Sequence, residues 1–182
     1  MKQINESIIC AGFGGQGIMV LGKVLANAGM AKSLYVTWLP SYGAEVRGGT
    51  AHSMIRISSE PIASPVVSMA DVVIAMNGPS MDKFKSKVTA GGLLILNTSM
   101  ASGTVGRSDI DVVKAHLTDE AIKLGNVRVA NMIAAGIFVA KKGIFDRGIM
   151  MNVIEEMAKG REQLVPINVK AVDRGIEIAN SL

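Results

Sequence analysis

Gly12-Phe-Gly-Gly-Gln-Gly17 sets glycines at the spacing G-x-G-x-x-G, between an apolar run and a stretch with helical periodicity. The chemistry open to such a loop is anion binding. Glycine permits a tight turn, lets a ligand approach the backbone and lets a helix pack close on a strand. The helix that follows offers unpaired N–H groups and the positive end of its dipole. Two readings of Gly12, Gly14, Gly15, Gln16 and Gly17 stay open. One is an anion site for a phosphate-bearing ligand; the other is a glycine turn kept for packing or a subunit contact. A nicotinamide site is disfavoured. It wants an acidic residue at the end of the second strand to hold the ribose hydroxyls, and that region reads Val36-Thr37-Trp38-Leu39-Pro40.

The second constellation is Tyr42-Gly-Ala-Glu-Val-Arg-Gly-Gly-Thr50. Glu45 and Arg47 are two apart, so in an extended segment they point the same way. Gly48 and Gly49 permit positive φ or the close approach of another chain. Arg47 suits bidentate capture of a carboxylate, a phosphate or a pair of carbonyls. A subunit contact through Tyr42, Glu45, Arg47, Gly48 and Gly49 is one reading. A solvated loop with an incidental ion pair is the other.

Other reactive types are sparse. The two histidines, His52 and His116, are far apart, with no cysteine or paired carboxylate at ligand spacing. No metal site is expected from them; His52 reads as a strand or interface residue. The lone cysteine, Cys10, lies in an apolar run and reads as a small buried hydrophobe. One cysteine cannot form an intramolecular disulfide or hold an iron–sulfur cluster. The twelve methionines are scattered and read as core filler. Asn131, ahead of an apolar helix, reads as a cap or a buried hydrogen-bonding group. Asp109 and Asp111 read as loop and helix-end charge. No triad, Walker loop or paired-carboxylate site is present, so no catalytic residue is expected.

These groups need a scaffold. The 182 residues fit one domain, 1–182, with a substantial core. Aliphatic and small residues dominate and aromatics make up 4%, as expected of an α/β domain. The net charge of +4 is spread along the chain, which argues against nucleic acid. The first residues are polar and no apolar stretch is long enough for a membrane span, so a soluble cytoplasmic chain is expected. Ser7–Ala11 reads as a buried first strand. Ile18, Leu21, Leu25 and Ala28 then mark one face of a helix. Leu34–Leu39 reads as a second strand stopped by Pro40, and Ala51–Ile57 with its turn at Glu60-Pro61 as a β-hairpin. Val72–Met76 and Leu93–Leu96 read as strands flanking a helix opened by Gly78-Pro79. Met100–Arg107 reads as a loop and the remainder as mainly helical. Thr118 is the expected cap of the first helix there, Asn131–Lys142 the second, Asp146 the cap of the third, and Pro166 opens the last.

The glycine loop, followed by Ser41-Tyr-Gly-Ala-Glu-Val-Arg-Gly-Gly-Thr50, resembles the gamma subunit of 2-oxoacid:ferredoxin oxidoreductases. Asp71-Val-Val-Ile-Ala-Met-Asn77 and Asn131-Met-Ile-Ala-Ala-Gly136 are similar to that family too. The resemblance runs in order along nearly the whole chain. It implies a Rossmann-like α/β fold: a mostly parallel sheet with a β-hairpin insertion and a helical C-terminal part. It implies a subunit without catalytic residues, working beside alpha, beta and ferredoxin-like delta subunits. Thiamine diphosphate, magnesium and iron–sulfur clusters would lie in those partners and none in this chain. The assembled enzyme would decarboxylate a 2-oxoacid, form an acyl-CoA and reduce ferredoxin or flavodoxin. The gamma domain would help build the assembly and, as in the family's fused relatives, border the coenzyme A site. The Tyr-Gly-Ala-Glu form looks most like the 2-oxoglutarate branch, with pyruvate, branched-chain and indolepyruvate branches open. The alternative class is an independent Rossmann-like protein that binds a phosphate or nucleotide at the glycine loop.

Overall fold

A computed structural model describes residues 3–41 and 50–182. The segment Tyr42–Gly49, with Glu45 and Arg47, lies outside the described residues.

Six strands form one sheet in the order β2-β3-β1-β4-β5-β6. They are β1 (Asn5–Gly12), β2 (Tyr35–Ser41), β3 (Ala51–Ser58), β4 (Ala70–Ala75), β5 (Val88–Asn97) and β6 (Asp111–Ala115). β1, β4, β5 and β6 pair in parallel. β3 runs antiparallel to both β1 and β2, so it alone is reversed. The hairpin expected to turn at Glu60-Pro61 does not form: the next strand, β4, pairs with β1 and β5, while β3 lies between the earlier strands β2 and β1. This is the mostly parallel α/β architecture expected.

The helices are α1 (Ile18–Ala31), α2 (Gly78–Phe84), α3 (Leu117–Lys123), α4 (Ala130–Lys142), α5 (Arg147–Met157) and α6 (Val165–Asn180). Ile18, Leu21, Leu25 and Ala28, the apolar stripe of α1, are all buried. α4 ends where Gly143 turns into the left-handed region at φ 61°. Asp146 caps α5 by accepting from the Ile149 N–H, and α6 carries its proline in the first turn. Among the described residues no helix is long and apolar enough to cross a membrane.

Three further expectations fail for physical reasons. Pro40 does not stop β2, which runs on to Ser41 with Pro40 opposite Ser53. β2 is an edge strand, where a missing N–H can face away from the ladder. Thr118 does not cap α3; it lies inside the helix, and its hydroxyl accepts from Asn97 Nδ2 at 2.9 Å. Asp111 does not end a helix but opens β6.

The sheet divides the core. Ile8, Cys10, Ile55, Ile57, Ile74 and Ile95 face a layer of α1, α3, α4, α5 and α6. Ile9, Ala11, Val73, Ala75, Leu94 and Leu96 face α2 and the loop residues Val67, Val105 and Ile110. In the helix layer α4 and α6 cross at Gly136 and Gly175. A β-carbon on Gly136 would lie 2.1 Å from the Val172 carbonyl oxygen, and one on Gly175 would lie 2.0 Å from that of Ile133. Only glycine allows so close a backbone contact.

Candidate functional site

The parallel strands β1, β4 and β5 deliver their C-terminal ends to one edge of the sheet, the usual place for ligands in an open α/β fold. The glycine loop leaves β1 there and enters α1. Gly17 starts the helix in the left-handed region, φ 71° and ψ 27°, with no side-chain cap and no acid in the first turn. The first intrahelical bond runs from the Leu21 N–H to the Gly17 carbonyl, 2.9 Å. Helix geometry leaves the N–H groups of Ile18, Met19 and Val20 without helical acceptors.

A network of buried amides sets the loop's shape. Gln16 Oε1 accepts from the Phe13 N–H at 2.7 Å and from Asn77 Nδ2 at 2.9 Å. Gln16 Nε2 donates to the Met76 carbonyl, 3.2 Å. Asn77 turns its oxygen to the Ser80 N–H and so caps α2. Asn97 Nδ2 donates to the Met76 carbonyl as well, 3.1 Å. Asn131 Nδ2 reaches across from α4 to the Gly17 carbonyl at 3.0 Å. Asn77, Asn97 and Asn131 are all buried. Each loop-bearing turn is thus tied to its neighbours through charge-free hydrogen bonds, which are expensive to leave half made. Asn131 is the buried hydrogen-bonding group expected. Asn77 and Asn97 carry no role in the sequence reading; an Asn directly after an apolar strand is the signal that marks both.

The glycines divide by environment. A β-carbon on Gly12 would meet Ile18 Cδ1 at 2.6 Å, and one on Gly17 would meet Asn131 Nδ2 at 2.4 Å. Those two positions serve packing. Gly15 needs glycine for its φ of 93°, yet has open space around its Cβ position. Gly14 and Gly15 are exposed. Both line a shallow cleft of about 320 Å³ with Phe13, Gly17, Ile18 and Ala51. So the loop is locked from beneath and open above.

The cleft lining itself is apolar and uncharged, with one lysine beside it. Lys83 Nζ donates to the Thr50 hydroxyl at 3.0 Å, next to the cleft residue Ala51. Lys83 and Lys87 also stand over the Phe84 ring, at 5.6 and 5.9 Å from its centroid. His52 lies on β3 with its ring 5.0 Å from that of Phe84. Cys10 is wholly buried in the sheet, and burial pushes its thiol pKa far up. Among the described residues no group of three or more His, Cys, Asp or Glu is placed to hold a metal ion. The arrangement can present backbone N–H groups and a helix dipole to an anion, with Lys83 to one side. Among the described residues it offers no paired acid and base for proton transfer.

Comparison with known proteins gives a consistent picture. Residues 7–178 match the family described as pyruvate ferredoxin/flavodoxin oxidoreductase. The chain is 30% identical to the 2-oxoglutarate synthase subunit KorC of Methanocaldococcus jannaschii, covering 99% of this chain and 97% of that protein. It is 33% identical to the ketoisovalerate oxidoreductase subunit VorA of Methanothermobacter thermautotrophicus, covering 93% of this chain and 35% of that one. The solved 2-oxoglutarate:ferredoxin oxidoreductase of Magnetococcus marinus, with 2-oxoglutarate, coenzyme A and succinyl-CoA bound, contains the same fold. It superposes with a TM-score of 0.89 at 24% identity, over all of this chain and 32% of that one. The chain thus spans about a third of the length of some relatives and nearly all of others.

Proposed function

The chain belongs to the pyruvate ferredoxin/flavodoxin oxidoreductase family, and on that premise we propose that it is the gamma subunit of a 2-oxoacid:ferredoxin oxidoreductase. The observation that carries this reading is its match to a 2-oxoglutarate synthase subunit over 97% of that protein's length. The assembled enzyme would act on 2-oxoglutarate in the cytoplasm. The 2-oxoacid loses carbon dioxide, its acyl group passes to coenzyme A, and the electrons pass to ferredoxin or flavodoxin. Alpha and beta subunits, with a ferredoxin-like delta subunit, would hold the thiamine diphosphate, magnesium and iron–sulfur clusters. This chain, as one domain, would contribute assembly contacts through Tyr42, Glu45, Arg47, Gly48 and Gly49.

The glycine loop is the surface this chain would offer to coenzyme A. Gly14 and Gly15 are exposed over the α1 N-terminus, and no acid stands in its first turn to repel a phosphate. Lys83 lies beside the same cleft. Gly12, Gln16 and Gly17 would hold the loop's shape rather than touch the ligand. The relatives lend no support to an independent phosphate-binding protein.

Reconstitution tests the proposal. Gly14→Val should leave coenzyme-independent decarboxylation largely intact and raise the KM for coenzyme A. Equal loss of both half-reactions in the mutant would assign the loop to packing alone. Turnover of a 2-oxoacid by the purified chain without partners would sink the subunit reading.

A further inference from the structure

The two edges of the sheet are finished differently. β6, at one edge, has five residues, and Asp111 and Lys114 stand exposed on it. Shortness and charge of this kind keep an open edge from pairing with another chain. β2, at the other edge, has seven residues, Tyr35–Ser41, none of them charged and none buried. Tyr35 is 52% exposed and Leu39 37% exposed. Among the described residues no strand pairs with the outer side of β2. The ladder fixes which backbone groups that side presents. The Ser59 N–H bonds the Ile4 carbonyl at 2.9 Å, so odd-numbered residues of β3 bond β1 and even-numbered ones bond β2. The partners of those even-numbered residues are Tyr35, Thr37, Leu39 and Ser41. Val36, Trp38 and Pro40 therefore turn their backbone groups outward. Pro40 has no N–H to lose there. Val36 and Trp38 each present one N–H and one C=O.

We propose that this edge pairs with the same edge of a second copy of the chain, antiparallel about a twofold axis through Thr37. The strand is complementary to itself in that register. Val36 faces Trp38 of the second copy and the two exchange both backbone bonds. The twofold repeats the exchange, so every N–H and C=O that Val36 and Trp38 present is satisfied. The same register sets Tyr35 opposite Leu39 of the second copy, so the two exposed apolar side chains of β2 cover each other. A twofold also brings a strand close to its own charges. From Leu34 to Ser41 there are none, so nothing on the strand repels its copy. The two sheets join into one, with a β2 from each at the centre. β2 runs the same way as β1, since both are antiparallel to β3. The glycine clefts, beyond the C-terminal ends of the β1 strands, therefore lie at opposite ends of the joined sheet and both stay open. Two short strands make a small interface, and a weak, concentration-dependent dimer is expected. The pairing stands on the edge alone and does not rest on the subunit reading.

Sedimentation equilibrium of the full chain, from micromolar to near-millimolar concentration, measures the association, and a reversible dimer is expected. Hydrogen exchange then reads the edge. The Val36 and Trp38 amides should exchange at least about tenfold more slowly in the dimer than in dilute protein. Those of Thr37 and Leu39, bonded to β3, should stay slow in both. A contact made through side chains alone gives no such alternation. Tyr35→Lys and Leu39→Glu, both at exposed positions, should each weaken the dimer about tenfold, because each change enters the interface twice. An equimolar mixture of the two variants should recover a heterodimer, the introduced ammonium facing the introduced carboxylate. If either variant fails to fold, the exchange pattern of the wild-type chain decides alone. A chain that stays monomeric throughout overturns the proposal. So does a dimer in which Val36 and Trp38 exchange as before, or a mixture of folded variants that recovers nothing. Protection of these amides only when other subunits are added would give the edge to a strand of a different chain and overturn it too.

Discussion

The two faces of the sheet are built to different depths. One carries α1 and α3–α6, locked by the glycine crossing of α4 and α6. The other carries α2 and connecting loops, and leaves Tyr35 and Leu39 exposed. The deep side closes on itself through backbone contacts that tolerate no added atom. The shallow side is covered by one short helix and connecting loops. The difference predicts that truncation costs more on the helix-layer face than on the other.

The largest effect should come from the crossing. Alanine is the better helix former by about 1 kcal/mol, so Gly136→Ala would stabilise a loosely packed helix. Here its methyl would meet the Val172 carbonyl, and a loss of about 3 kcal/mol or more is expected in urea unfolding. A neutral result would break the contrast at its centre. Phenylalanine truncation sharpens it. Phe138 lies in the helix layer and Phe84 on the shallow side, both buried. Each truncation to alanine should cost about 3–5 kcal/mol. Phe84→Ala is expected at the low end, because loops collapse into a cavity more readily than helices locked by backbone contact. Equal or reversed costs would mean that the shallow face is as rigid as the deep one.

The smallest effect is electrostatic. Glu120 on α3 bonds Lys123 at 2.6 Å and Arg174 of α6 at 2.7 Å. Hydrogen bonds from Lys123 and then Arg174 hold its carboxyl below the usual range. A depressed folded-state pKa contributes stability above the unfolded value, about 4.3, and that stability is lost as pH falls through the folded value. Acid titration of stability should therefore be shallower in Arg174→Ala, by no more than about 1 kcal/mol. An unchanged acid limb would show that the α3–α6 pair adds nothing to the helix layer.

Much of this organisation was legible because period and burial agree. The α1 stripe, the apolar α4 and the Asp146 cap follow from spacing and side-chain chemistry alone. β6 escaped because it is a short edge strand in which Asp111 and Lys114 are exposed and only Val113 and Ala115 are buried. Its signal is weaker than the Ser- and Gly-rich stretch before it. β3 was legible as a strand, but the hairpin expected after it at Glu60-Pro61 was not there, because the place of β3 between β2 and β1 depends on pairings that spacing alone does not show. At the candidate site the glycines were legible by spacing. Of the amides that pin them, Asn131 was legible ahead of an apolar helix, whereas Asn77 and Asn97 were not, since their partners come from segments far apart in sequence.

The lone cysteine gives the molecule a built-in reporter. Cys10 is wholly enclosed in the central strand of the sheet, and its thiol resists ionisation. Alkylation needs a thiolate in contact with solvent, so modification must wait for the sheet to open. Where opening and closing outrun the chemistry, the labelling rate reads the free energy of that opening directly. A single mass shift per chain would then follow how firmly the sheet is held, before and after the proposed assembly, with no engineered probe.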